Sequence, residues 1–260
     1  MNLQRFNTYP RTALILIGLA VFIMAVLIVT NRGDLTSAIL ILIAFASFLA
    51  GLFIFSFSRE EQRDQDVAAA MVVPYTITLS RVLADMGVSG PAHFIPVPGD
   101  GTFPAPVMQF NPVATIVPEH ISEDFTFITR QDGSGVLTVP SGIPLLTMME
   151  QKHSLTIPTT EPELYEAIRE VNQELLDVAD EVTVIRSETG IVMTLRNCQL
   201  VCGCIAARSE SPRTCLVAPC PICSLVGVMV ATGKGKRCAM EQVLVDEKGR
   251  TIEVYFTVVV

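Results

Sequence analysis

The residues of this chain whose type and spacing could do chemistry are its cysteines, all of which lie between residues 198 and 238. The tightest spacing is a C-x-x-C pair, Cys220 and Cys223, with a proline directly after the first thiol. Because Pro221 suits the first position of a helix and Gly233 suits the position past its last turn, the sequence predicts a helix from about Pro221 to Thr232. Cys220 is then the N-cap, where the helix dipole lowers the pKa of a thiol and favours the thiolate.

Three interpretations of these thiols are open, and the first is a metal centre. Zinc and iron–sulfur clusters need thiolates that converge, and a second pair could come from Cys202 and Cys204, or from Cys198 and Cys202 on one turn of a helix. The spacing matches neither a zinc ribbon nor a ferredoxin, and no histidine lies near the thiols in sequence. The candidate metal ligands are Cys198, Cys202, Cys204, Cys215, Cys220, Cys223 and Cys238.

The second interpretation is a redox C-x-x-C, and the third is a set of buried thiols without chemistry. A redox pair needs an exposed thiol at the start of a helix, whereas the segment ICSLVGVMVA after Pro221 is apolar on every side and predicts a buried helix. Free cysteine is among the most buried residue types and packs as a small hydrophobe. We favour this third interpretation and predict no cofactor, with zinc or an iron–sulfur cluster as the alternative.

No other motif in the chain predicts catalysis. The run GKGK from Gly233 lacks the Ser or Thr of a phosphate loop and ends a helix instead of opening one. The three histidines, His93, His120 and His153, are scattered, and the patterns G-x-S-x-G and G-x-G-x-x-G are absent. The sequence therefore predicts no catalytic residue.

Two long apolar runs near the N-terminus decide where the rest of the chain is held. Neither run contains a charged residue, and each is long enough to carry a helix across the roughly 30 Å hydrocarbon core of a bilayer. The first is longer than a secretory signal and the second follows at once, so we expect both to be retained. Residues 1–58 are predicted to form a transmembrane hairpin with helices at about 12–30 and 35–57.

Orientation and helix pairing follow from residues in and around these spans. Basic residues at the two outer ends outnumber the single Arg32 in the turn, so the positive-inside bias places both termini in the cytoplasm. An odd number of cysteines in one patch also suits reduced cytosolic thiols. Small residues at Ala46, Ser47, Ala50 and Gly51 permit close helix approach in lipid. The predicted partner is the lipid bilayer, with a membrane protein or a homo-oligomer as further candidates.

The remainder of the chain is acidic. The whole chain has a net charge of −8, and the first 58 residues carry three arginines and one aspartate, which leaves −10 for the rest. Because contacts to phosphates need clustered Lys and Arg, we expect no nucleic-acid partner. The length of this remainder suffices for one large or two small domains.

The pattern of short elements predicts an α+β domain behind the hairpin. Residues 59–66 are polar and predict a juxtamembrane linker, and residues 67–157 predict a helix, interrupted or kinked at Pro74, followed by a small β region. Gly99 to Gly101 predicts a hairpin tip, and the many prolines predict that these strands lie at edges or bulges. Residues 158–260 predict a second, Cys-rich α+β part.

This second part has a helix and two hairpins around the thiols. Thr160 and Glu163 predict a capping box at the start of a helix that ends near Asp180 and packs by one apolar face. Antiparallel hairpins are predicted at 182–196 and 239–259, each with a glycine in its turn. Together with the N-terminal spans, these elements define the predicted fold class, a two-helix transmembrane hairpin followed by a soluble α+β domain.

The layout resembles that of a family of uncharacterised archaeal membrane proteins, through the segments GVSGPAHFIPVP, VLTVPSGIPLLTMME and APCPICSLVGVMVATGK. This resemblance covers most of the chain and implies a two-span anchor with a cytoplasmic domain. The stretch from Cys220 to the C-terminus is also similar to the end of 4-vinyl reductase-like domains, α/β modules that bind small molecules with cysteines around an apolar helix. Cys220, Cys223 and Cys238 match that pattern, and the late Cys expected in the last strand is absent.

These features predict a membrane-anchored cytoplasmic domain that works without catalysis, as a sensor, an adaptor or an assembly component. The basis is a sizeable domain held at a membrane with no recognisable nucleophile, base or phosphate loop. A membrane-tethered thiolate zinc or iron–sulfur protein is the alternative.

Overall fold

The structure is a computed structural model that describes residues 8–30, 34–99, 103–114, 117–118, 121, 126–130 and 133–259. The chain divides into two compact units, Met1–Ala68 and Ala69–Val260. The N-terminal part contains two long apolar helices and the second unit an antiparallel α+β fold, so the predicted fold class is confirmed. His120 and most of the predicted tip at Gly99 to Gly101 lie outside the described residues.

Two helices begin the chain, α1 over Thr8–Thr30 and α2 over Leu35–Asp85. Asp34 starts α2, since its Oδ1 accepts hydrogen bonds from the backbone N–H of Ser37 at 3.2 Å and from the Ser37 hydroxyl at 2.7 Å. Both predicted spans are helical, and each is long and apolar enough to cross a membrane.

The predicted juxtamembrane linker at 59–66 is helical and belongs to α2. Its charged side chains favour solvent, which led to the expectation of a linker, yet Glu, Gln and Arg are good helix formers and the run contains neither Gly nor Pro. Pro74 also lies inside α2, where it removes one backbone hydrogen bond without ending the helix. A polar run without Gly or Pro is therefore compatible with a helix, and α2 continues through it.

Small residues spaced seven apart bring α1 and α2 together. Ala13 and Ala20 of α1 and Ala44 and Gly51 of α2 are buried, while most apolar side chains around them are exposed. A Cβ added to Gly51 would lie 2.8 Å from Cγ1 of Ile17 and 3.1 Å from the carbonyl oxygen of Ala13. A spacing of seven keeps the contacting residues on one stripe of each helix.

Of the four small residues predicted to pair, only Gly51 lies on this stripe. Gly51 is buried and Ser47 is half-buried, whereas Ala46 and Ala50 are exposed. Contact residues on α2 recur every seven residues, as Ala44 and Gly51 do. Ala46 and Ala50 do not follow this spacing and therefore face away from α1.

The second unit contains one antiparallel sheet. Its eight strands are β1 (His93–Pro96), β2 (Val107–Pro112), β3 (Phe127–Arg130), β4 (Gly133–Thr138), β5 (Ala179–Arg186), β6 (Gly190–Cys198), β7 (Cys238–Asp246) and β8 (Thr251–Val258). They lie in the order β3-β4-β2-β1-β7-β8-β6-β5. The predicted parts at 67–157 and 158–260 therefore each contribute four strands to a single sheet.

The two four-stranded halves of this sheet meet at a narrow junction between β1 and β7. Two residue pairs join them, His93 with Ala239 and Phe94 with Cys238. Within each half the hairpin neighbours pair over most of their length. The sheet is thus continuous but weakly hydrogen-bonded at its centre.

The prolines of β1 and β2 do not place these strands at an edge or a bulge, contrary to the prediction. Both strands are interior, and each carries its proline at its last position, Pro96 and Pro112. A proline there removes no N–H group from the middle of the ladder. All six residues of β2 are buried, which shows that both faces of this half are covered.

Five more helices and one π-helical turn pack on the sheet within the described part of the second unit. They are α3 (Ile143–His153), α4 (Glu161–Glu170), the π-helical turn (Val171–Leu175), α5 (Val201–Glu210), α6 (Thr214–Val217) and α7 (Pro221–Lys234). α7 is the central helix, because its residues from Cys223 to Ala231 are all buried. They share one hydrophobic cluster with Phe94 of β1 and with Val254 and Phe256 of β8.

The start and end of α4 differ from the predicted helix. Thr160 is the N-cap, but its hydroxyl contacts the Glu163 carboxylate and makes no cap bond to the backbone, so the two side chains satisfy each other. The apolar stripe continues to Val178 as predicted, yet the helix gives way to the π-helical turn and then to β5 at Ala179. A buried Asn172 lies in that turn and donates from Nδ2 to the carbonyl of Ile168 at 2.8 Å.

Candidate functional site

The first turn of α7 places the C-x-x-C pair. Cys220 is the N-cap in an extended conformation (φ −63°, ψ 160°) and Pro221 occupies the first helical position, both as predicted. The helix runs further than predicted, to Lys234, and ends at Gly235 in the left-handed region (φ 60°). Gly233 is therefore inside the helix and buried, where an added Cβ would lie 2.7 Å from the carbonyl oxygen of Pro158.

All seven cysteines are free, and they lie on five elements. Cys198 ends β6, Cys202 and Cys204 are on α5, Cys215 is on α6, Cys220 and Cys223 are at the start of α7, and Cys238 begins β7. Cys198, Cys215, Cys223 and Cys238 are buried, Cys204 and Cys220 are partly exposed, and Cys202 is exposed.

Five of these thiols are close enough to interact electrostatically around Cys220. Cys220 contributes to the raised pKa of the other four. Burial is the largest cause for Cys198, Cys204 and Cys215, and the hydrogen bond to Cys220 is the largest cause for Cys223. We call this group the thiol cluster; its members are Cys198, Cys204, Cys215, Cys220 and Cys223. Cys238 is not a member: burial and the charge of the Glu241 carboxylate raise its pKa, and none of the five thiols contributes. Sequence spacing alone does not identify this group, because its members come from four elements.

The segment before Cys220 is fixed by hydrogen bonds from three different elements. The backbone N–H of Ala92 donates to the carbonyl of Leu216 at 2.8 Å. Nδ2 of the buried Asn111 donates to the carbonyl of Val217 at 2.8 Å. The Ser141 hydroxyl donates to the carbonyl of Pro219 at 2.9 Å. Cys220 is therefore held by the sheet and by the loop before α3, contacts that the sequence did not reveal.

Cys198 belongs to the cluster by a different route from the one predicted. It ends β6, and the turn Gln199–Leu200 separates it from α5, so Cys198 and Cys202 do not share a helical turn. Its backbone N–H donates to the carbonyl of Arg250 at 2.8 Å, and Nη2 of Arg250 donates back to the Cys198 carbonyl at 3.2 Å.

α7 itself is fixed just beyond the C-x-x-C pair. The backbone N–H of Gly142 donates to Oγ of the buried Ser224 at 3.0 Å, which joins the start of α3 to the first turn of α7. One turn later Gly227 packs directly under the ring of Phe94, with no space for a side chain. The position of Cys223 is therefore determined by its neighbours on both sides.

The pKa of Cys220 is lowered to about 7. The main cause is a hydrogen bond donated by the Cys223 thiol, and interaction with the backbone N–H groups of Cys223 and Ile222 adds to it, while burial opposes it. The sulfur makes no side-chain cap bond of standard geometry, so these N–H groups act through the electrostatics of the helix start. Near neutral pH a large share of Cys220 is therefore thiolate.

The other thiols of the cluster stay protonated under the same conditions. Hydrogen bonding to Cys220, followed by burial, holds the pKa of Cys223 well above its usual value. Burial, then the charge of Cys220, raises the pKa of Cys215 to about 12 and that of Cys204 further. Burial raises the pKa of Cys198 to about 11. The site is thus one thiolate at a helix start among protonated neighbours, an arrangement suited to nucleophilic attack on a soft electrophile.

The candidate metal centre has less support from this geometry. Among the residues that the structure describes, which include every cysteine, no three His, Cys, Asp or Glu side chains are placed to share one metal ion. A thiolate centre would need Cys204 or Cys215 to move towards Cys220 and lose its proton.

One family model matches residues 2–256 of the chain, and it is described as Domain of unknown function (DUF7982). No curated protein and no solved structure matches the chain. The match covers the two apolar helices, the sheet and the thiol cluster together. The chain therefore belongs to the DUF7982 family.

Proposed function

We propose that this chain is a membrane-anchored sensor without enzymatic activity, and that its sensing element is the thiol cluster. The observation that carries this proposal is the place of Cys220 at the N-cap of α7, one helical turn from Cys223, where its pKa is lowered to about 7. Such a thiolate reacts with soft electrophiles, including disulfides, before the protonated thiols around it do.

Exposure of the two apolar helices supports the membrane anchor. Only 11% of each candidate span is buried in the fold, and side chains such as Val29 are 86% exposed. A core helix of a soluble protein would be mostly buried, and so much exposed apolar surface is favourable in a bilayer. The proposal also includes three predictions from the sequence. They are a cytoplasmic location of the domain and, as candidate partners, a membrane protein or a second copy of the chain.

Contacts within the second unit offer a path from the thiols to the end of α2. The segment α5–α6, which carries Cys204 and Cys215, contacts the last turns of α2 at two points. Leu83 shares a small buried cluster with Val217 of α6, and Nε of Arg81 donates to Oε1 of Glu210 at 2.9 Å. A change at Cys220 would disturb the element that packs against this helix.

Hydrogen exchange of the full chain in detergent tests the sensor. We expect methyl methanethiosulfonate, added at a limiting ratio, to modify Cys220 first and to raise amide exchange in residues 79–88 and 214–217 severalfold. The Cys220→Ser variant should show no such rise, and Cys202→Ser, which removes the exposed thiol outside the cluster, should behave as the wild type. Unchanged exchange in the wild type after modification of Cys220 would overturn the proposal.

A thiolate zinc or iron–sulfur protein is the second candidate, and the electrostatic contact among five thiols is the observation in its favour. Anaerobic purification, metal analysis and a visible spectrum separate the two. About one equivalent of bound zinc, or iron–sulfur absorbance that disappears in Cys220→Ser, would show that the protein is a metal protein and would contradict the sensor function. The likeness of the C-terminal part to 4-vinyl reductase-like domains stays a prediction from the sequence, as does an archaeal origin.

A further inference from the structure

We infer that Cys220 and Cys223 form a reversible disulfide by exchange with a low-molecular-weight disulfide, with Cys220 as the attacking thiol and Cys223 as the resolving thiol. This inference rests on the proposed function and deepens it, because it names the reagent class and the bond by which the thiol cluster would respond.

The positions of the two residues on α7 carry the inference. Cys220 is the N-cap and Cys223 is the third helical residue, and side chains at these positions face each other, as they do in a capping box. The electrostatics of the pair agree with this placement, since a hydrogen bond from the Cys223 thiol lowers the pKa of Cys220. A disulfide needs two Cα atoms that are close together and two Cβ atoms that point towards each other. Residues one helical turn apart meet both conditions.

Exposure assigns the two roles. Cys220 is the more exposed residue of the two, whereas Cys223 is buried and 6% exposed. An attacking thiol with a pKa near the ambient pH is also close to the optimum for exchange. Cys223 therefore acts second, on the Cys220 sulfur of the mixed disulfide.

The reaction balances in two exchanges. The Cys220 thiolate attacks one sulfur of the small disulfide, forms a mixed disulfide and releases one small thiolate. Cys223 then loses its proton to solvent and attacks the Cys220 sulfur, which forms the Cys220–Cys223 bond and releases the second small thiolate. Counted from the form with two thiols, the protein loses two electrons and two protons. The small disulfide gains the two electrons, and its two thiolates take up the protons to become thiols.

The choice of Cys223 over the other thiols also has a structural basis. Cys204 and Cys215 interact with Cys220 through charge, and neither makes the hydrogen bond that Cys223 makes. Both lie on other helices, whereas Cys223 is one helical turn from Cys220 at the start of the same helix.

Oxidised glutathione with the full-length protein in detergent tests the inference. We expect the peptide Thr214–Lys234 from the wild type to lose two hydrogens, with fragmentation placing the bond between Cys220 and Cys223 and with full recovery on reduction. Cys223→Ser, or Cys223→Ala if the serine variant does not fold, should stop at a glutathione adduct on Cys220. Cys220→Ser should lose both products, and Cys202→Ser, at an exposed cysteine outside the thiol cluster, should form the bond at the wild-type rate.

Two results would overturn the inference. One is a bond from Cys220 to Cys204 or Cys215 in the wild type, and the other is a wild-type C-x-x-C pair that stays reduced while the Cys223 variants gain no adduct. The outcome is separable from that of the proposed function. If the disulfide forms while amide exchange in residues 79–88 stays constant, the disulfide is supported and the sensor function is contradicted. If amide exchange responds to methyl methanethiosulfonate but no disulfide forms, the sensor function is supported and the disulfide is contradicted.

Discussion

The Cys223 thiol donates a hydrogen bond to the Cys220 sulfur across the first turn of α7, and this bond is the main reason why the pKa of Cys220 falls to about 7. The rate of alkylation by iodoacetamide at Cys220 should therefore rise with pH to a plateau, with its midpoint near pH 7. Cys223→Ala removes the donor, so its midpoint should move up towards the value of about 8.5 for a free thiol.

Peptide mass spectrometry at a series of pH values measures both midpoints. Cys202→Ser is the matched control, since Cys202 is exposed and lies outside the thiol cluster. A wild-type midpoint at the free-thiol value would contradict the role of the hydrogen bond.

His93 should make the second unit less stable in mild acid. Burial, and then the charge of Arg237, lowers the pKa of His93 from 6.5 to about 4. In the unfolded chain this histidine takes up a proton below about pH 6.5, whereas in the folded protein it does so only near its lowered pKa. Between these two pH values the unfolded state binds more protons, so the free energy of unfolding falls as the pH drops. By about pH 5 we expect His93 to account for a loss of about 2 kcal/mol.

Denaturant unfolding followed by circular dichroism at several pH values measures this loss. The variant His93→Gln should show a flatter dependence between about pH 6.5 and the lowered pKa. His153→Gln, which changes an exposed histidine of α3, is the matched control. Equal pH profiles for His93→Gln and the wild type would show that His93 is not the titrating group.

Gly51 should tolerate no side chain where α1 and α2 meet. Its added Cβ would lie 2.8 Å from Ile17 Cγ1, so Gly51→Ile forces the helices apart, at a cost of about 1–3 kcal/mol. Ala50→Ile is the matched control, because Ala50 is exposed. In a cysteine-free background, thiols placed at Ala20 and Ala44 should cross-link in the Ala50 variant and cross-link less in the Gly51 variant. Equal cross-linking would place the helix contact elsewhere.

Ser224→Ala should destabilise the join between α3 and α7. Its Oγ accepts the N–H of the buried Gly142 at 3.0 Å, and the loss of this acceptor leaves a buried donor without a partner, at a cost of about 1–3 kcal/mol. Thr232→Ala changes an exposed residue of the same helix and should stay within about 0.5 kcal/mol of the wild type. Denaturant unfolding compares the two, and similar midpoints would show that this hydrogen bond is not important for stability.

Local patterns predict the elements of this protein better than their arrangement. The apolar runs, the hairpin around Gly190 and the N-cap at Cys220 follow from a few neighbouring residues, and the structure contains all of them. The interior position of β1 does not follow, because its pairing with β7 joins Phe94 to Cys238, far apart in the chain. Proline content suggested an edge, and only the pairing shows that Pro96 is at a strand end.

The candidate site shows the same division. The C-x-x-C spacing and Pro221 predict where Cys220 and Cys223 lie, because one helical turn brings them together. That Cys204 belongs to the cluster and Cys202 does not depends on the angle at which α5 faces α7, which tertiary packing decides. The polarity of residues 59–66 does not decide between a helix and a linker either, because a polar run without Gly or Pro can form both.

The two-pair junction in the sheet has a thermodynamic consequence. Backbone bonding alone would let the halves separate in successive steps, since β1 and β7 share so few pairs. The apolar side chains of α7 lie against both halves, so burial along this one helix couples their melting into a single cooperative transition. Damage to α7 should then broaden the heat-absorption peak or divide it in two, a signature distinct from a simple decrease in melting temperature.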